Sequence, residues 1–378
     1  MIPARHSGNR VQFRSLRPIS FTVANSVPPL PKVLWPSILD EVAVQICQTP
    51  GANFDRRAVT MGVVRTPDER FLGLPGYSFE PRYAHVTAKG VEPVRMHFID
   101  SGPSDGFPVV LLHGQPTWSY LYRKMIPVLN DAGLRTIAPD NIGFGRSDKL
   151  TERTDYTFQR HVEWMTSFFS AVDLRDATLV VQDWGGPIGL SALAAVPDRF
   201  SRIVATNTVL HTSDPELSEA LTWANYGLGD GRVVLEEALI DYVLFCQRTP
   251  DLVPSMFVDA IAGPLPDDVK AAYDAPFPDA TYEAGLRQMT SLIPLTRNDP
   301  GASIGRRTWH ALRSWERPLL TAYSDADPAT AGWATVLQDR VPGARGQSHS
   351  IIGGAGHFVQ EQQGEQLAAT IVDFIQAT

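Results

Sequence analysis

Residues 178–189 read TLVVQDWGGPIG. Thr178, Leu179, Val180 and Val181 are β-favouring or apolar and read as a buried strand. The small, apolar run IGLSALAAV, which begins at Ile188, reads as a buried helix. Between them, Gln182-Asp183-Trp184-Gly185-Gly186 must turn the chain sharply. Strand, tight turn and helix, with a reactive side chain at the apex and glycine two residues on, is a nucleophile-elbow layout. Its apex here is Asp183. A serine that attacked an alkyl carbon would leave an ether, which water does not readily cleave. An aspartate that attacks the same carbon leaves an ester, whose carbonyl carbon stays open to water. The residue therefore points to displacement at an sp3 carbon followed by ester hydrolysis. The plainer alternative makes Asp183 only the N-cap of the helix, a common place for Asp.

Outward from this stretch the same alternation repeats. Apolar runs at 94–100, 108–114, 135–140, 202–208, 318–325 and 349–357 read as strands. Between them lie amphipathic segments. Trp118, Leu121, Tyr122, Met125, Ile126 and Leu129 recur at helical spacing, as do Phe158, His161, Val162, Met165, Phe168, Phe169 and Val172. Trp164 and this second aromatic stripe read as core. Apolar strands that alternate with helices predict a mostly parallel sheet flanked by helices on both faces. The alternation lapses over 209–306, where helical stretches (SEALTWANY, RVVLEEALIDYVLFC) and proline-rich loops show no convincing strand. This region is expected to be a helical cap inserted between two parts of an α/β core, 61–208 and 307–378.

Residues 1–60 differ from the rest. They hold seven Lys/Arg and three Asp/Glu, a net of +4 in a chain whose total is −8. They are rich in Pro and Ser and lack periodicity apart from a possible helix over 36–47. No apolar run follows the basic start, so the segment is a poor secretory signal. It is expected to be a disordered extension, or to lie upstream of the true start at Met61. A charge of −8 makes nucleic acid an unfavourable partner, and no apolar run has the length of a membrane span. A cytoplasmic location is expected. The two cysteines, Cys47 and Cys246, have no metal-ligand spacing.

Four pieces fall at the C-terminal ends of strands, where open α/β sheets place their sites. Asp183 is the first. His357, flanked by glycines in GGAGHFVQ, can take a proton from water. An acid in AYSDADP would orient that imidazole and stabilise its cation. Asp325 and Asp327 both qualify, and Asp327, further past the strand, is preferred. The chain order nucleophile, acid, histidine is that of the α/β-hydrolases. The fourth piece, LLHGQPTWSYLY, can turn the backbone N–H of Gln115 inward. With that of Trp184 it would form an oxyanion hole about the Asp183 carboxyl. His113 reads as a loop histidine without a proton-transfer role, and the bond before Pro116 suits a cis turn.

The segments HGQPTWSYLYRKMIP, VVQDWGGPIGL, APFPDATYEAG, SDADP and GAGHFVQE together resemble the haloalkane dehalogenases, from about Met61 to the C-terminus. They resemble in particular the branch whose acid follows the strand before the histidine strand. The resemblance implies an α/β-hydrolase fold with a helical cap, nucleophile Asp183, base His357 and acid Asp327. It further implies two halide-binding indoles, Trp184 and one in the cap. Trp223, in SEALTWANY, matches the cap segment. An indole N–H is an uncharged donor, suited to hold a leaving halide and then release it. The implied substrate is a small halogenated hydrocarbon, with water consumed and halide released. No metal or organic cofactor, nucleic acid or membrane is implied, and a monomer is expected. The nearest rival is an epoxide hydrolase, whose alkoxide leaving group calls for two cap tyrosines. Tyr226, Tyr242, Tyr273 and Tyr282 are available by position. A fluoroacetate-type dehalogenase would need arginines beside the nucleophile, and Trp184-Gly185-Gly186 supplies none. A catalytically dead fold used for binding would not need nucleophile, base and acid together.

Overall fold

The computed structural model describes residues 62–378, except 211–226, 230–231, 235–236, 251, 295–297, 328 and 331 and the side chains of 227–241. The possible helix over 36–47, the segment SEALTWANY and Trp223 lie outside the described residues.

Eight strands form one sheet: β1 Arg82–Val86, β2 Val94–Ser101, β3 Pro108–Leu112, β4 Arg135–Pro139, β5 Ala177–Asp183, β6 Phe200–Thr208, β7 Leu319–Ser324 and β8 Ser350–Ile352. Their spatial order is β8-β7-β6-β5-β3-β4-β2-β1. The β1–β2 and β2–β4 pairs are antiparallel, and the other five are parallel. The elbow strand β5 lies between β3 and β6, with Leu112 level with Val181 and Asp183 level with Thr208. The three chain ends that follow β3, β5 and β6 thus converge at one edge of the sheet.

Both faces of the sheet are buried, which explains why its strands read as unbroken apolar runs. Side chains alternate between the faces. Val110, Leu112, Leu179 and Val181 join one apolar cluster, whereas Val109, Leu111 and Val180 join another. Helix α1 (Met125–Asp131) covers the second cluster with Met125, Ile126 and Leu129. Helix α2 (Phe158–Ala171) and helix α3 (Gly185–Ala195) cover the first. Helix α2 starts where the Thr157 side chain accepts the Arg160 N–H at 3.1 Å, an N-cap. Its stripe is core, as the spacing predicts, and Trp164 is fully buried.

Three local expectations change. The stripe from Trp118 to Leu129 is not one helix: a 3₁₀ turn at Ser119–Tyr122 precedes α1. Strand β1 escapes the sequence reading because RYAHV is an edge strand with a mixed burial pattern. The region between β6 and β7 contains helices α4 (Glu237–Arg248), α5 (Pro254–Ala262), α6 (Asp267–Asp274), α7 (Ala284–Met289) and α8 (Pro300–Leu312). It also contains a short antiparallel ladder, Gly227–Gly229 with Arg232–Val234. RVVLEEALIDYVLFC is therefore part strand and part helix. Asp230-Gly231 between two short runs is a hairpin signal that the reading overlooked. After β7 come α9 (Gly332–Arg340) and, beyond β8, α10 (Val359–Ala377). No helix among the described residues is long and apolar enough to cross a membrane.

Candidate active site

Asp183 ends β5 with φ +48°, a left-handed conformation rare outside glycine. Such strain is characteristic of a nucleophile elbow. The turn closes because Gly185 lacks a side chain: a Cβ there would strike the carbonyl oxygen of Leu112 in β3. Asp183 is not the helix N-cap. That position belongs to Trp184, and α3 has no side-chain cap. The carboxylate instead points to the loop after β3, where the Gln115 N–H donates to Oδ1 at 2.7 Å. Gly114 permits this approach, since a Cβ on it would run into the Asp183 carboxylate. The Thr208 hydroxyl holds the Asp183 carbonyl from β6 at 2.6 Å.

The Gln115–Pro116 bond is cis, as the turn suggested. Behind it, His113 Nε2 accepts the Asn141 N–H at 2.9 Å, and Nδ1 lies 3.0 Å from the Gly114 carbonyl. This pair of contacts requires Nδ1–H and a bare Nε2, the neutral tautomer. Burial also lowers its pKa, despite nearby Asp140 and Asp183. His113 braces the loop and has no nitrogen left for proton transfer.

His357 arrives from the loop between β8 and α10. Its Nε2 lies 3.3 Å from Asp183 Oδ2, and its Nδ1 lies 3.0 Å from Asp327 Oδ2. Asp327 also accepts the Ala329 N–H at 2.9 Å and the Thr330 hydroxyl. Burial alone would raise the Asp327 pKa, but the imidazole and these donors outweigh it and hold the carboxyl below its ordinary value. Asp325 is turned away. Its carboxylate accepts the N–H groups of Gly354 and Ala355 at 2.9 and 3.2 Å and braces the histidine loop from outside. Burial would push the His357 pKa down, but the two carboxylates, Asp327 before Asp183, raise it well above the ordinary imidazole value.

Trp184 is buried, with its ring edge-on to Phe158 at 5.7 Å, in the apolar cluster that also holds Phe277 and Leu286. Tyr242 of α4 and α7 meet Gln115 from the other side: the Tyr242 hydroxyl donates to Gln115 Oε1 at 2.8 Å, and Gln115 Nε2 donates to the Leu286 carbonyl at 3.0 Å. The site is thus a carboxylate in an apolar setting, with a histidine–carboxylate pair at its side and a backbone donor on its oxygen. Such a set can perform displacement and then hydrolysis without a redox or acyl-carrying group.

Two supports were not legible in the sequence. Asn207, at the end of β6, donates to the carbonyls of Gly356 and His357 at 2.8 and 3.0 Å and to Ser324 Oγ at 2.8 Å. Gln182 donates to the His357 carbonyl at 3.3 Å, and its Nε2 lies 3.2 Å from His357 Nε2. Their contacts to His357 join residues at least 150 positions apart, and neither residue carries a motif of its own.

Comparison with known proteins bears on the fold and the family. The family described as alpha/beta hydrolase fold matches residues 108–237. A haloalkane dehalogenase of Psychrobacter cryohalolentis is 45% identical over 317 residues, which are 83% of this chain and 98% of that protein. A haloalkane dehalogenase of Mycolicibacterium paratuberculosis is 44% identical over 319 residues, 84% of this chain and 99% of that protein. Among solved structures, the tetrameric haloalkane dehalogenase DpaA of Paraglaciecola agarilytica has a TM-score of 0.71 at 34% identity. The match covers 82% of this chain and 97% of that one. The eight-stranded sheet, the elbow and relatives matched over nearly their full length lead to one conclusion: the chain belongs to the haloalkane dehalogenase family of the α/β-hydrolases.

Proposed function

We propose that the chain hydrolyses the carbon–halogen bond of small haloalkanes in two steps at Asp183. The observation that carries this reading is the line Asp183–His357–Asp327, with separations of 3.3 and 3.0 Å. In the first step an Asp183 oxygen attacks the carbon from the side opposite the halogen. The C–O bond forms, the carbon–halogen bond breaks, and halide leaves with the electron pair. Halide needs no proton, so no acid is required. Trp184 and Trp223 are the proposed halide donors. In the second step His357 takes a proton from water as the water oxygen attacks the ester carbonyl. The N–H groups of Gln115 and Trp184 are the proposed donors to the oxyanion. The alcohol leaves with one proton, a second reaches solvent, and the Asp183 carboxylate is restored.

The protonation of His357 fits this order. While Asp183 carries its charge, both carboxylates favour the imidazolium. Esterification removes the charge on Asp183, and with it part of what favours the imidazolium, just when the neutral base is needed.

The epoxide-opening alternative needs free tyrosine hydroxyls over the nucleophile. Tyr242 donates to Gln115, and Tyr273 donates to Glu361 at 2.6 Å. Two of the four candidate cap tyrosines are thus engaged elsewhere. A panel of chloro- and bromoalkanes and of epoxides tests the reading. Halide and alcohol should appear in equal amounts from the haloalkanes, with no diol from the epoxides, and Asp183→Asn should abolish both products. Diol without halide would overturn it.

A further inference from the structure

We infer that Gln182, the residue before the nucleophile, is a positioning residue for the second step: its amide N–H holds His357 in the neutral, proton-accepting form. The inference rests on the two-step reading above and adds to it a determinant of the pH at which the ester is hydrolysed.

Gln182 is fully buried. Its Nε2 lies 3.3 Å from the His357 carbonyl and 3.2 Å from His357 Nε2. A carbonyl oxygen only accepts hydrogen bonds, so the group facing it must be the NH₂ end of the amide. The opposite rotation would set oxygen against oxygen. Gln182 Oε1 is buried with no partner among the described residues, which does not favour either orientation, so the carbonyl decides. The same amide therefore presents an N–H to the imidazole. His357 Nδ1 faces the Asp327 carboxylate and carries a hydrogen. In the neutral ring Nε2 is then a bare acceptor, and the Gln182 N–H donates to it. In the cation Nε2 carries its own hydrogen and has nothing to offer a donor. Gln182 thus favours the neutral ring over the cation, opposing Asp183 and Asp327. That preference matters little while Asp183 is charged. It matters once Asp183 is an ester, when the ring must be neutral before a water displaces the Gln182 N–H from Nε2 and gives up its proton there. By gripping ring and main chain together, Gln182 also fixes the plane in which Nε2 points.

The test separates the two steps by rapid quench across pH 5.5–9.5 in Gln182→Met, which keeps length and bulk but removes the donor. Below the imidazole pKa ester decay should slow by up to about ten-fold, the size of one net hydrogen bond, and on the high-pH plateau it should not slow. The apparent pKa of that decay should rise by about one pH unit. The halide released in the first turnover should change less than about three-fold, because that step does not use the base. A folded Gln182→Met protein whose ester decays with the parent rate and pH profile would overturn the inference. So would equal slowing of both steps. A second measurement needs no substitution: ¹⁵N-histidine NMR of the parent above the imidazole titration, with the His357 signal assigned by its loss in His357→Gln. The inference expects Nδ1–H and an Nε2 shifted from the free acceptor value by a hydrogen bond. An Nε2–H tautomer, or an Nε2 at the unbonded value, would overturn it. Failure of the parent reading has a different mark, the absence of any ester in His357→Gln.

Discussion

At the scale of single residues, Asp183 is the proposed nucleophile and the indole that follows it a proposed halide donor. Trp184 follows the nucleophile directly and is buried beside Phe158. Trp184→Phe keeps most of the apolar bulk and removes one donor. Carbon–halogen cleavage should slow by about 10- to 1,000-fold, the upper end being the loss found when one transition-state donor is removed, and halide should bind more weakly. Halide quenching of tryptophan fluorescence together with burst kinetics would measure both. Unchanged halide affinity would remove Trp184 from the donor set. Asp183, Gln115 and His357 were legible because each lies in a short local motif at a strand end. The sequence left Asp325 and Asp327 both open. The structure separates them by contact, the imidazole for Asp327 and the turn N–H groups for Asp325.

Between elements, Tyr273 ties the region between β6 and β7 to the start of α10, just after the histidine loop. Glu361, in the first turn of α10, receives both Arg123 nitrogens at 2.7 Å, the Tyr273 hydroxyl of α6 at 2.6 Å and Lys124 at 2.8 Å. The Arg123 and Glu361 side chains are 5% and 3% exposed, so this is a buried pair. Burial would raise the Glu361 pKa, but the cations outweigh it and lower it from 4.5. The folded pKa lies below the unfolded one, so the unfolded chain binds more protons in that window. This stabilisation is therefore present above the unfolded value and is lost as pH falls through the folded one. Glu361→Gln leaves Arg123 buried and unmatched and should cost about 3–5 kcal/mol at pH 7. Its cost should shrink as pH falls below about 4.5, the unfolded value. Tyr273→Phe removes one bond to a charged group and should cost about 1.5–3 kcal/mol. Urea unfolding at pH 7 and pH 4 checks both. Losses under 0.5 kcal/mol would mean that the link is ornamental to the fold. None of this cluster was legible, because its members stand up to 238 residues apart and only folding brings them together.

For the whole molecule, hydrophobic pattern was a good guide to the sheet and a poor one to the region above it. Strands β2 to β8 were legible because a sheet buried on both faces demands apolar runs. Strand β1 and the ladder at 227–234 were not, since an edge strand with mixed burial and a ladder of three residues a side are too irregular or too short to leave such a mark. The site was legible wherever a loop at the C-terminal end of a strand carries its own signature. It was illegible where a support comes from another strand, as with Asn207 and Gln182. The central claim, a covalent ester on Asp183 cleaved by His357, is tested most directly in His357→Gln. Mixed with a haloalkane that the parent enzyme hydrolyses, this variant should release one equivalent of halide per site and stop. The peptide containing Asp183 should gain the mass of the alkyl group. Continued turnover, or one equivalent of halide with no adduct on that peptide, would contradict the account.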